Sequence, residues 1–134
     1  NVRVELIIRG MCSLYPGREG LSESISVVSI IGQFLEHSRI FWFGNGGSPE
    51  VYIGSADWMS RNLDRRVEAV TPVEDPNLRG RLERLLELYL KDNRGAWDMQ
   101  SDGSFIQRQP EDGEDVRNSQ VQLIKQWSQG VPQS

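Results

Sequence analysis

At 134 residues, with 37% hydrophobic and 25% charged residues, the chain has the size and make-up of one soluble globular domain long enough to bury a core. The net charge of −4 argues against broad nucleic-acid binding. No apolar run approaches the roughly 18–20 residues of a membrane span, no secretory signal is visible, and the single cysteine, Cys12, cannot form an internal disulfide, so a reducing, cytoplasmic setting is expected.

In chain order, Val2–Arg9 alternates and then runs apolar, the pattern of a strand central in a sheet. It begins at once, without an initiator methionine, so the expectation is a piece of a longer protein. Arg9 closes this strand at its carboxyl end, where open α/β sheets bind ligands; a snorkelling edge residue is the plainer reading, and position favours the ligand. Tyr15–Gly20 is turn-rich, and Cys12 reads as packing. Ile25–Ile31 is β-branched and extended, and Ile30–Glu36 is compatible with a short helical turn leading into His37. Arg39–Phe43 and Glu50–Gly54 flank Gly44-Asn45-Gly46-Gly47 and predict a hairpin. Arg65–Val73 is expected as a further strand, buried over Val67–Val70.

Asp75-Pro76 starts the clearest helix, with aspartate as N-cap and proline at the first helical position. Leu78, Leu82, Leu85, Leu86 and Tyr89 share one face, and Asn93 and Gly95 supply the stop. Ala96–Met99 and Ser104–Gln107 around Ser101-Asp102-Gly103 read as a small hairpin, and Pro110–Asp115 as an acidic loop. Val116–Gln129 predicts an amphipathic helix with Val121, Ile124 and Trp127 inward. The chain is thus expected to be α/β.

The chemistry concentrates in residues 32–68. The only histidine, His37, lies there, two residues before Arg39 at the entry to a strand, so both point to one side. Gly54-Ser55 ends the paired strand and brings a hydroxyl and backbone N–H groups to the same edge. Glu68 fits either of two roles: accepting from the imidazole and fixing its tautomer, or a salt bridge to Arg65 or Arg66. Of the 15 basic residues only Lys91 and Lys125 are lysines. Arginine's fork grips phosphate and carboxylate in two-point contacts, although codon bias explains such a composition equally well. One histidine and one distant cysteine exclude a zinc site of the usual spacing. No Gly-x-x-x-x-Gly-Lys-Ser/Thr occurs, and the glycine run sits between two strands, which excludes a Rossmann fingerprint. The four tryptophans are scattered and fit core packing better than base stacking.

His37-Ser38-Arg39 before Gly54-Ser55-Ala56-Asp57 resembles one half of the phospholipase D superfamily signature, His-x-Lys with a downstream Gly-Ser-x-Asn, departing at Arg39 and Asp57. The longer run is similar to the last catalytic domain of bacterial polyphosphate kinases. Leu6–Cys12, Phe34–Ile40, Phe43–Gly47, Ser55–Met59 and Asn62–Glu68 carry the resemblance, which covers nearly the whole chain. It implies a phospholipase D-like mixed sheet flanked by helices, forming a single domain over 1–134 at the carboxyl end of a larger enzyme. It implies reversible transfer of the terminal phosphate of ATP to inorganic polyphosphate through a phosphohistidine in a preceding domain, with magnesium held outside this stretch. His37 would be the second histidine, binding phosphate or assisting proton transfer; Arg9 and Arg39 would contact phosphates, and Glu68 would orient His37. ADP, polyphosphate, the upstream domains and further copies of the chain would be partners. The full-length enzyme would be cytoplasmic, free to associate peripherally with a membrane. The competing expectations are a phosphodiesterase half-site of the phospholipase D type and a non-catalytic anion-binding or assembly module in which His37 is structural.

Overall fold

A computed structural model describes residues 2–130, and their contacts divide the chain into two compact units: residues up to Glu36 with those from Leu88 onward, and His37–Glu87.

The first unit is built on a mixed four-stranded sheet of β1 (Val4–Ile7), β2 (Ile25–Ile30), β6 (Ala96–Met99) and β7 (Phe105–Gln107), in the order β1-β2-β6-β7. β1 and β2 run parallel, with Leu6 opposite Val27; β2–β6 and β6–β7 are antiparallel. The parallel pair places two carboxyl ends side by side, at Ile7 and Ile30. Val27, Val28, Ile30, Tyr89, Ala96 and Met99 are buried and form its apolar core. β1 stands at the sheet's edge among the described residues, not at its centre, and its residues are only half-buried or exposed. Apolar content reports burial of side chains on the sheet faces and does not rank strands by position. The β6–β7 hairpin forms as the sequence predicts, with Gly103 at φ 90° in its turn.

The second unit is an antiparallel sheet of β3 (Ile40–Phe43), β4 (Glu50–Gly54) and β5 (Val70–Pro72), with a short helix α1 (Ser60–Leu63) between β4 and β5. β3 and β4 are the expected hairpin, and the glycine run makes a turn of 3₁₀ helix with Asn45, Gly46 and Gly47 at positive φ. Val51 and Ala56 are its buried apolar residues. The strand expected over Arg65–Val73 shrinks to three residues, and Val67 and Val70 are exposed. Their β-branched run reflects local extended preference, which three cross-strand partners suffice to satisfy. Of the tryptophans expected in the core, Trp42, Trp58 and Trp127 are exposed; Trp58 stacks on Phe41 with centroids 5.4 Å apart.

Helix α2 (Pro76–Leu90) starts as its sequence dictates: the Asp75 carboxylate accepts from the N–H groups of Asn77 and Leu78. Helix α3 (Ser119–Ser128) is capped by Asn118, whose side chain accepts from Val121 N–H. Its expected inward face is not the buried one. Val121, Ile124 and Trp127 are exposed, while Ser119 and Gln120 are buried. Periodicity locates a helix but not the face a polar network pulls inward. The helical turn expected over Ile30–Glu36 is absent, because side-chain partners hold these residues extended or bent.

The first unit is tied together by Asp92, 1% exposed. Its Oδ1 accepts from the N–H groups of Arg94, Gly95 and Ala96, and its Oδ2 from the N–H and hydroxyl of Ser119. Burial pushes this carboxyl upward, but Ser119 first, then the Arg94 and Gly95 amides, outweigh it and hold it below its ordinary value. A group so depressed contributes stability above its unfolded-state pKa and loses it as pH falls through the folded value. The expected outcome for Asp92→Asn is a loss of about 3 kcal/mol, because donors are left facing an amide N–H₂. Urea unfolding near neutral pH checks this, and the gap to wild type should narrow only in acid.

Candidate functional site

The strand pairing that builds the hairpin also delivers its polar residues. Gly54 N–H donates to Arg39 C=O at 3.0 Å, so Arg39 and Gly54 close the open end of β3–β4. The Arg39 guanidinium lies against the His37 ring: Nη1 is 3.1 Å from Nδ1 and Nη2 is 3.2 Å from Nε2. A neutral imidazole has one acceptor nitrogen, so at most one of these contacts is a hydrogen bond. Nη1 also donates to His37 C=O at 3.3 Å. The third edge of the guanidinium is anchored behind: Nε donates to Asp57 Oδ1 at 3.0 Å, in a half-buried ion pair. The two positions at which this chain departs from the phospholipase D signature, Arg39 and Asp57, are therefore partners of each other. His37 is exposed, so the imidazole and the adjoining cation are open to an anion.

Glu68 does not meet His37 in a hydrogen bond among the described residues, nor does it form an ion pair with Arg65 or Arg66. Its carboxylate is taken by the Ser55 hydroxyl and by Asn62 Nδ2, the latter at 2.8 Å. The Ser55 hydroxyl also accepts from Ala69 N–H at 3.1 Å, and Ser55 N–H donates to Ala69 C=O at 3.0 Å. Gly54 permits this approach: a Cβ there would lie 3.2 Å from Ala69 O. Asn62 arrives on α1 and is buried, 2% exposed. Sequence reasoning missed it; the signal was the short run after Asp57-Trp58-Met59, too brief to show a helical period. The Ser55 hydroxyl first and the Asn62 amide second hold the Glu68 carboxyl below its usual range, helped by the nearby charges of Arg66 and Arg39.

Arg9 lies in the first unit, just past β1, as expected for the carboxyl ends of parallel strands. It lines a cavity of about 690 Å³ with Ser29, Gly32, Phe34, Trp97 and Phe105 among its walls. The volume suits a small ligand, and the walls are mostly apolar with one arginine among them. Among the described residues no three His, Cys, Asp or Glu side chains gather to hold a metal ion.

Geometry and fold define a mixed α/β chain that presents an open imidazole braced by a guanidinium, with an arginine-lined cavity at the ends of its parallel strands. Residues 1–120 match the model of polyphosphate kinase C-terminal domain 2, and the chain belongs to that family. It is 70% identical over 132 residues to a polyphosphate kinase of Prochlorococcus marinus (strain MIT 9313), covering 98% of this chain and 18% of that protein. A polyphosphate kinase of Thermosynechococcus vestitus is 60% identical over 124 residues, 92% of this chain and 17% of the relative. The crystal structure of polyphosphate kinase from Porphyromonas gingivalis superposes with a TM-score of 0.88 at 40% identity, over 96% of this chain and 19% of that one. The chain thus spans less than a fifth of the length of these relatives.

The depressed Glu68 carboxyl sets a pH expectation. Its hydrogen bonds stabilise the second unit above the ordinary glutamate range and are lost as pH falls through the lowered folded-state pKa. Thermal unfolding of wild type beside Glu68→Gln should therefore differ at neutral pH and converge as pH falls below the ordinary glutamate range. A difference that grows in acid would refute the assignment.

Proposed function

We propose that this chain is the carboxy-terminal domain of a polyphosphate kinase and supplies part of a phosphoryl-transfer site, the phosphorylated histidine lying in an upstream domain. Family membership supports the reaction that the sequence resemblance implies, reversible transfer of the terminal phosphate of ATP to inorganic polyphosphate through a phosphohistidine. The observation that carries the chain's own part is the His37–Arg39–Asp57 arrangement. Phosphoryl transfer asks the protein chiefly for positioning and for positive charge where phosphate oxygens carry negative charge. Asp57 fixes the Arg39 guanidinium, which leaves His37 with a cation alongside and its ring exposed. In this reading His37 donates to a phosphate oxygen or carries a proton to the departing one.

Arg9 takes nucleotide phosphates at the mouth of its cavity, the apolar walls receiving the remainder of the nucleotide. Glu68 acts indirectly: it holds Ser55 and Asn62, and so keeps the chain that follows β4, including Asp57, in place. This replaces direct orientation of the imidazole. Magnesium accompanies the nucleotide in this reading, held by phosphate oxygens and by groups outside the described residues. No helix of the described residues is long and apolar enough to cross a membrane. A cytoplasmic location fits the lone cysteine, and assembly into homo-oligomers rests on the resemblance alone.

In the full-length enzyme, His37→Ala should lower ATP-dependent polyphosphate synthesis by about 10²-fold or more. Arg9→Ala should instead raise KM for ATP about tenfold. Asp57→Asn should loosen the Arg39 brace beside His37 and lower synthesis less than His37→Ala does. The present chain alone should make no polyphosphate; robust synthesis by it would overturn the partial-site reading.

A further inference from the structure

The wall of the Arg9 cavity is not self-supporting. Residues Gly32–Leu35 line it, yet they belong to no helix or strand, and their backbone groups need partners from elsewhere. One residue partners both backbone groups of Phe34. Gln120, 6% exposed, reaches from the first turn of α3 to residue 34. Its Oε1 accepts from Phe34 N–H at 3.0 Å, and its Nε2 donates to Phe34 C=O at 2.7 Å. A side-chain amide here does what a neighbouring strand does in a ladder, pairing both backbone groups of one residue. The second Nε2 hydrogen goes to Glu36 Oε1 at 2.8 Å, and Glu36 Oε2 accepts from the Tyr89 hydroxyl at 2.7 Å.

The support itself is rigid. Ser119, next to Gln120, gives its N–H and hydroxyl to buried Asp92, and Asn118 caps the helix. The start of the wall is fixed separately, by Ile31 N–H donating to Gly95 C=O at 2.8 Å. Between those points Gly32 leaves room for the amide: a Cβ at residue 32 would lie 2.3 Å from Gln120 Oε1 and 2.8 Å from Cδ. Its φ is not positive, so an alanine there brings no backbone strain and acts only by displacing the amide.

We propose that Gln120 is a positioning residue for nucleotide binding, which shapes the Gly32–Leu35 wall of the Arg9 cavity through its two bonds to Phe34 without touching the ligand. This rests on the reading of that cavity as the nucleotide site. It assigns substrate affinity, and not the chemical step, to a buried amide and to the glycine that makes space for it.

The test is steady-state kinetics of the full-length enzyme with ATP as the varied substrate. Gln120→Ala and Gly32→Ala should each raise KM for ATP about tenfold, with kcat within about twofold of wild type. Gln120→Glu discriminates positioning from bulk stability. Near pH 8 its carboxylate faces Glu36 and Phe34 C=O and repels both; protonation returns a donor, so the KM penalty should shrink toward pH 6, beyond any change in wild type. Should Gln120→Ala fail to fold, Gly32→Ala and Gln120→Glu carry the test. A lowered melting temperature with unchanged KM at both pH values would overturn the positioning role and leave Gln120 purely structural. If Arg9→Ala raises KM while the Gln120 and Gly32 variants do not, this inference fails alone. If Arg9→Ala leaves KM unchanged, the cavity is not the nucleotide site and both readings fall.

Discussion

One buried carboxylate sets the geometry on which the first unit depends. Asp92 collects five donors, from the turn that follows α2, from the start of β6 and from the first residue of α3. Desolvating an ionised carboxylate is expensive, and only this density of N–H and O–H groups outweighs the cost. The result is a junction with one low-energy arrangement, since any shift of one element orphans donors from another. Arg108 reinforces it from the other side. Its guanidinium forks onto Asp98, with both contacts at 2.7 Å, and Nη1 donates to the C=O of Leu90 and of Asp92. The last carbonyl of α2 thus meets a cation, the favourable sign for a helix carboxyl end.

In the second unit the corresponding constraint is the pairing of Arg39 with Asp57. A lysine at residue 39 would offer a point charge, and an asparagine at residue 57 a weaker neutral acceptor. Arginine with aspartate leaves the Nη edge free to lie along the imidazole while Nε is tied back. The two departures from the phospholipase D pattern make one device, because the Asp57 carboxylate ties the Arg39 Nε edge that a lysine does not have. Glu68 adds a second brace at the same strand end, through Ser55 and Asn62.

What the sequence disclosed and what it withheld divide along the range of the interactions. The β3–β4 hairpin, the Asp75 cap, the Gly103 turn and the helix over Ser119–Ser128 all rest on contacts between near neighbours, and all were legible from turn chemistry, capping residues and period. The place of Arg9 just past β1 was legible from the strand before it, and the contact of His37 with Arg39 from their spacing. Three features were not. Glu68 selects Ser55 and Asn62 across 13 and 6 residues of chain, a choice made by the folded path between them. Val121, Ile124 and Trp127 mark a true helical stripe that lies exposed, while the polar flank carrying Ser119 and Gln120 is buried. The turn expected over Ile30–Glu36 is overridden from 86 residues away, by Gln120.

These misses share a cause that bears on how such a site is made. An apolar pattern predicts burial because transfer from water is non-directional; it says nothing of a network whose energy depends on angle and partner. Here the buried set of the first unit is rich in polar residues, with Asp92, Asn93, Ser119 and Gln120 all nearly inaccessible. Such networks add little net energy compared with an apolar core, yet they hold atoms to positions that packing alone leaves free to drift. A cavity wall made of irregular backbone needs that kind of control, because it lacks the ladder bonds that stiffen strands. The polar residues buried behind the wall hold irregular backbone in place where the sheet ends short of it.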